Sequence, residues 1–168
     1  MPEILLRHEF PVAAPPAAVA VHLSDPDNYV GLSPLVVAVR QVTHGPGPTR
    51  YVAVERFRFL GFLRYDNRIA VTLNVEGSEA VHGRVVSPGG VRIDYRFALR
   101  PNDTGTDVTD TLHLHAPFGL LRFAATRARE VQLARGGILA DRMANATPGC
   151  RQSRCEGTCA DCADCGGL

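Results

Sequence analysis

The sequence predicts an α+β chain: a curved antiparallel sheet of seven strands, two short helices after the first strand, and one long C-terminal helix laid over the sheet. Three observations carry this. Nearly every second residue from position 51 to 114 is apolar, turn chemistry interrupts that alternation at regular intervals, and only the stretch 118–144 has the length and pattern of a long helix. A sheet apolar on one face and a helix apolar on one stripe must bury those surfaces together. If the sheet is curved, they meet around a hollow, so the pattern describes a container without naming its contents.

The elements follow in order. Residues 4–12 read as the first strand, ended by Ala13-Ala14-Pro15-Pro16, where proline cannot extend a sheet ladder but suits the first turn of a helix. Residues 17–23 form a short helix. Ser24-Asp25-Pro26-Asp27 then offers a capping oxygen at Asp25 and proline at the first helical position, predicting a second short helix through about Leu32. Six apolar-rich runs follow at 35–43, 50–60, 62–75, 80–86, 91–99 and 106–115. They are separated by Gly45-Pro46-Gly47-Pro48, Gly61, Glu76-Gly77-Ser78, Ser87-Pro88-Gly89-Gly90 and Pro101-Asn102-Asp103-Thr104-Gly105. Strands in such close succession make a meander.

Side chains alternate across a strand, so parity assigns the faces. Leu63, Tyr65, Asn67, Ile69, Val71, Leu73 and Val75 fall on one face, against Arg64, Asp66, Arg68, Thr72 and Asn74. Val91, Ile93, Tyr95, Phe97 and Leu99 oppose Arg92, Asp94, Arg96 and Arg100 in the same way. The helix 118–144 would be roughly 40 Å long at 1.5 Å per residue. On a wheel of 100° steps, Leu120, Phe123, Ala124, Val131, Ala134 and Ile138 share a face opposite Arg122, Thr126 and Arg129, and that stripe should cover the dry side of the sheet. Gly136-Gly137 predicts a kink or fraying, since each glycine costs roughly 1 kcal/mol relative to alanine.

Composition excludes several functions. The chain has 168 residues, enough for one core, and its formal charge of +1 offers no basic field for nucleic acid. All eighteen cations are arginine, which rules out lysine Schiff bases, pyridoxal-phosphate attachment and a Walker-type phosphate loop. GC-rich codon usage accounts for the missing lysine without any functional cause. The N-terminus lacks the basic start and apolar core of a signal peptide, and no apolar stretch spans a bilayer, so a cytoplasmic protein is expected.

The order of elements, together with Pro15-Pro16-Ala17-Ala18-Val19, Leu23-Ser24-Asp25-Pro26-Asp27-Asn28-Tyr29, Ser33-Pro34 and Gly105-Thr106-Asp107-Val108-Thr109-Asp110, resembles the helix-grip fold of the SRPBCC superfamily. That superfamily includes START lipid-transfer domains, birch-pollen-allergen-like proteins and polyketide cyclases. The resemblance covers about residues 3–145. It implies a cavity between sheet and helix for a lipid, sterol, hormone or polyketide; some members catalyse aldol cyclisation and dehydration there, and others only carry. Where the family commonly has tryptophan in the helical passage, this chain has Ala20 and Leu32, which implies a roomier pocket.

Polar residues on the dry face are the site candidates. Parity places Glu55 with Tyr51, Ala53 and Phe57, and Asp110 with Val108, Leu112 and Leu114. A carboxylate among hydrocarbon must take up a proton or find a cation. Arg127 lies within the apolar stripe of the helix. The expected ligand-facing set is Tyr51, Glu55, Phe57, Tyr65, Asn67, Tyr95, Phe97, Asp110, Phe123, Arg127 and Val131, with Arg127, Asp110 and Glu55 as the catalytic candidates. The alternatives are an internal ion pair of Arg127 with one carboxylate, or a β-bulge that turns either acid into solvent.

His113 and His115 fall on the opposite face from Leu112 and Leu114; imidazoles at i and i+2 can chelate a metal, but sequence shows no third ligand, and they read as exposed histidines. No cofactor is expected in the folded domain, residues 1–147. All five cysteines lie in the remainder, 148–168, with the spacing C-x4-C-x3-C-x2-C-x2-C from Cys150. Cys155, Cys159, Cys162 and Cys165 are candidate ligands for a soft ion such as zinc or copper, against a flexible, reactive extension. Cys155-x3-Cys159-x2-Cys162 also resembles the cluster motif of radical SAM enzymes, which need a barrel this chain does not contain. The preferred function is binding of a small hydrophobic molecule; a cyclase or dehydrase in the same cavity, and a metal or thiol sensor in the tail, are the alternatives.

Overall fold

A computed structural model describes residues 2–59 and 62–146. The expected cysteine-rich tail at 148–168 lies outside them. The chain runs β1 (Glu3–Val12), α1 (Pro16–Ser24), β2 (Val36–Thr43), β3 (Thr49–Phe59), β4 (Leu63–Glu76), β5 (Ala80–Val86), β6 (Arg92–Asn102), β7 (Gly105–His115) and α2 (Leu121–Ala146). The seven strands form one antiparallel sheet in the order β1-β7-β6-β5-β4-β3-β2. β2 through β7 are the predicted meander, and β1 adds to its far edge in register from Glu3 opposite His115 to Val12 opposite Thr106. Among the described residues, no helix is long and apolar enough to cross a membrane.

Parity holds best where the sheet is covered. On β7, Thr106, Val108, Asp110, Leu112 and Leu114 are buried in strict alternation. On β4 the pattern holds from Asn67 to Leu73 and lapses at the ends, where Leu63, Tyr65 and Val75 are exposed.

The predicted second short helix shrinks to a single 3-10 turn, Pro26–Tyr29. Its start is as expected, with the Asp25 carboxylate accepting from the Asp27 amide at 3.0 Å. It stops early because the Asn28 and Val30 carbonyls are taken by the Arg142 guanidinium, at 2.7 and 2.9 Å, instead of by a following helical turn.

α2 also departs from expectation. It runs unbroken through Gly136-Gly137, and the residues it buries are Gln132, Arg135, Gly136, Leu139 and Met143; Leu120, Phe123 and Ala134 are exposed. The reason is where the helix docks. It packs chiefly on edge strand β1, and a Cβ at Gly136 would stand 3.0 Å from His8 Nε2 and 3.1 Å from Phe10 Cδ1. Gly136 is therefore the contact point with β1 and not a break. The N-terminal half of α2 overhangs the concave sheet.

Packing is solid at one end only. Val19, Leu23, Leu32, Leu73, Val81, Phe97, Val108 and Leu139 are fully buried between the sheet, α1 and the C-terminal half of α2, and each such side chain contributes about 1.5–3 kcal/mol. Ala20 and Leu32 belong to this core and do not reach the cavity described below, so they do not enlarge it as expected.

Candidate functional site

Under the N-terminal half of α2 the sheet and helix enclose a cavity of about 330 Å³. Its wall is mostly hydrocarbon: Val36, Ala53, Ile69, Val71, Val85, Ile93, Leu112 and Leu114 from the strands, with Leu120, Phe123, Ala124, Ala128 and Val131 from the helix. Register explains the convergence. The pairs Tyr51 and Val71, Glu55 and Asn67, and Phe57 and Tyr65 are directly opposed on β3 and β4 and turn to the same face.

Three phenols and one cation gather at the inner end. Tyr29 and Tyr51 have ring centroids 6.3 Å apart. The Tyr29 hydroxyl donates to the Leu23 carbonyl at 3.1 Å, and the Tyr95 hydroxyl donates to the Thr72 carbonyl at 3.3 Å. Tyr95 can do so only because residue 83 is glycine: a Cβ there would lie 2.8 Å from the Tyr95 hydroxyl and 1.9 Å from the Thr72 carbonyl oxygen. Burial drives all three phenol pKa values well above the ordinary range, so each is a neutral hydrogen-bonding group.

The cation is Arg135. Its guanidinium donates to Asp110 Oδ2 at 2.5 Å and lies 4.8 Å from the centroid of the Phe97 ring. Burial opposes the charge, but the attraction and hydrogen bond of Asp110 outweigh it and hold the Arg135 pKa above its ordinary value. Asp110 is fully buried, and Gln132 donates to its backbone carbonyl at 3.0 Å.

A second polar group stands on the opposite wall. Asn67 Nδ2 donates to Glu55 Oε2 at 3.2 Å and to Ser87 Oγ at 3.0 Å. Burial raises the Glu55 pKa, with the Asn67 hydrogen bond pulling weakly the other way. Glu55 is thus the cavity carboxyl best suited to carrying a proton.

Of the residues expected from sequence, Tyr51, Glu55, Phe57, Tyr65, Asn67, Tyr95, Phe123, Arg127 and Val131 line the cavity; Phe97 and Asp110 do not, and sit behind Arg135. Arg127 is at the half-exposed rim, paired with Glu130 at 2.7 Å and stacked 5.8 Å from the Phe123 ring. The internal ion pair considered for Arg127 is made by Arg135 instead. Its signal was present as Val131, Arg135, Leu139 and Met143 at i, i+4 spacing, a stripe that follows the buried side of α2. Tyr29 and Ser87 were missed because they lie in a 3-10 turn and a loop, where no periodicity assigns a face.

A concave antiparallel sheet, a helical lid and an apolar hollow with a few polar groups define a helix-grip container. The chain belongs to the SRPBCC superfamily and, within it, to the family described as "Polyketide cyclase / dehydrase and lipid transport", which matches residues 4–144. No curated protein matches the sequence.

Solved structures agree on the fold. The Zhui aromatase/cyclase of a Streptomyces species superposes with a TM-score of 0.72 at 14% identity, covering 85% of this chain and 94% of that one. The Thermus thermophilus protein TTHA0849 gives 0.66 at 19% identity, covering 87% and 99%. A START superfamily protein from Mycobacterium smegmatis gives 0.64 at 14% identity, covering 86% and 99%. At these identities the likeness establishes architecture alone.

Proposed function

We propose that the protein binds a small, mostly apolar molecule bearing one or more carbonyl or hydroxyl groups in the cavity under α2. The observation that carries this is the lining itself: hydrocarbon over most of the wall, with Tyr29, Tyr51, Tyr95 and Arg135 at one end and Glu55 with Asn67 on the other side. An all-apolar hollow would favour an unfunctionalised lipid; this one rewards a ligand with polar points at matching places. The family's lipid-transport and cyclase members support the same class of ligand.

The test is native mass spectrometry of the purified protein, with titration of a fluorescent apolar probe. A co-purifying small molecule that the probe displaces at one per chain is the expected result. Failure to load any apolar or aromatic carbonyl compound would overturn the reading.

One observation favours catalysis in the same cavity. Glu55 is a carboxyl with a raised pKa, oriented by Asn67, within a site that also holds neutral phenols and a cation. Aldol cyclisation and dehydration need that combination of proton carrier and carbonyl-polarising donors, and the Zhui relative is an aromatase/cyclase. In this reading Glu55 moves the proton, Arg135 and Tyr51 polarise the carbonyl, and Asp110 acts only by holding Arg135. Glu55→Gln would abolish turnover of a poly-β-keto substrate while leaving its affinity within a few-fold. Equal turnover in wild type and variant would remove Glu55 from the reaction, and no turnover by the wild type would leave binding as the sole function.

A further inference from the structure

The outer face of the sheet, away from the cavity, carries a cluster that binding under α2 does not use. Glu3 opens β1 directly opposite His115 of β7, and His113 lies two residues earlier on the same face. Glu3 Oε2 is 3.3 Å from His113 Nε2 and 3.3 Å from His115 Nδ1. The two imidazole centroids are 4.4 Å apart, and the three ligand atoms all fall within 4.8 Å of one another.

These separations suit a metal ion. Bonds of about 2.0–2.1 Å at tetrahedral angles hold neighbouring ligand atoms about 3.3–3.4 Å apart. Both edges from Glu3 to the imidazoles already have that length; the edge between the imidazoles is within 4.8 Å, and His113, 44% exposed, is the less enclosed of the two. His115 is the fixed member, only 12% exposed. Its other nitrogen lies 3.9 Å from Asp94 Oδ2, beyond hydrogen-bond distance, so Asp94 adds negative charge beside the ring without orienting it. Arg84 and Arg92 pair with that same Asp94 at 2.5 and 4.0 Å.

We propose that Glu3, His113 and His115 bind one divalent ion of the zinc class, with water completing its coordination. Two imidazoles and one carboxylate select zinc, cobalt, nickel or copper over magnesium or calcium. The ion ties the open end of edge strand β1 to β7. β1 is also the strand on which α2 chiefly docks, so the ion secures the support of the cavity's lid. The site uses none of the tail cysteines and runs against the expectation of a folded domain without a cofactor.

The test must separate this site from the tail thiols, so it uses residue-specific signals in the full chain. Isotope-labelled protein is titrated with zinc chloride under reducing conditions, following the imidazole resonances of His113 and His115 by NMR, with thermal unfolding in parallel. Both imidazoles should shift together and saturate at one ion, and the unfolding midpoint should rise. Glu3→Gln keeps the shape of the side chain and should weaken this site by at least about tenfold, and His113→Ala should remove the shift at His115. Imidazole signals that stay put while zinc binds elsewhere, or a Glu3→Gln variant that binds as wild type does, would each refute the site.

Discussion

Asp110 and Arg135 form a charge pair whose two members are almost wholly withdrawn from water, and two of their atoms, Asp110 Oδ1 and Arg135 Nε, have no hydrogen-bond partner among the described residues. Such a pair is weak evidence for net stability, but breaking it strands a charge in hydrocarbon, at about 3–5 kcal/mol. Asp110→Ala should therefore lose about that much in urea unfolding. Asp110→Leu with Arg135→Met should recover much of it, because an apolar pair leaves nothing unpaired. Recovery that fails would mean the pair fixes the helix position and does more than cancel charge. Glu55 makes the complementary case. Its folded pKa is raised, so the folded state holds the proton more tightly than the unfolded chain. That stabilising contribution is complete below the ordinary glutamate pKa and is lost as pH rises through the folded value. Thermal midpoints of wild type and Glu55→Gln should coincide in acid and separate with rising pH, the variant becoming the more stable. Parallel profiles would show that burial does not perturb Glu55. Both acids were legible from strand parity alone. The Asn67 partner of Glu55 was legible in the same way, but Arg135 was not, since a cation on a helix can be assigned to a strand only once the helix's docking face is known.

The strands were readable because period-two alternation and turn residues are local facts, and β3 to β7 appear close to where those facts place them. α2 was readable in extent, and Leu120, Phe123, Ala124 and Val131 of its stripe do face the sheet across the cavity, but the face buried against β1 was not readable. An apolar stripe specifies which residues avoid water, but here half of the stripe faces a hollow and its rim, leaving Phe123 and Leu120 exposed while Gln132 and Arg135 are buried. The true docking face is announced by a small residue, Gly136, and pattern reading took it for a defect. The adjacent glycines test this directly. A Cβ at Gly137 meets nothing within 4 Å, so Gly137→Ala should stabilise the protein by about 0.5–1 kcal/mol through helix propensity alone. At Gly136 the same gain is opposed by contact with His8 and Phe10, and Gly136→Val should be clearly destabilising and loosen α2 from β1. Denaturant unfolding of the two variants, with hydrogen exchange of the β1 amides, checks both. Equal effects at the two positions would mean that the helix does not bear on β1 where Gly136 lies.

At the scale of the whole molecule, the question is why one end of the sheet–helix sandwich is filled and the other hollow. At the filled end, Leu23, Leu73, Phe97 and Leu139 interdigitate. At the other, the helix presents Ala124 and Ala128 towards Ala53 and valines of the sheet, and small side chains on both sides leave the space unfilled. The hollow is open at its rim, where Leu120, Phe123 and Tyr65 are exposed, so water can fill it and its apolar wall is surface that an apolar occupant would withdraw from water. Filling it from the helix is then the decisive manipulation. Ala128→Trp would set an indole into the hollow against Ile69, Val71 and Leu112, exchanging ligand volume for side-chain volume. The variant should keep its far-UV circular dichroism and unfold at a temperature equal to or above that of the ligand-free wild type, because the indole gains the contacts the void lacks. Its affinity for an apolar probe should fall by tenfold or more, the loss of about 1.4 kcal/mol or greater that follows from occupying the site. An Ala125→Trp control, three positions earlier on the helix, introduces the same indole outside the cavity lining and should leave binding unchanged. If both variants bind the probe equally well, the ligand sits somewhere other than under α2, and the container reading of this fold fails with it.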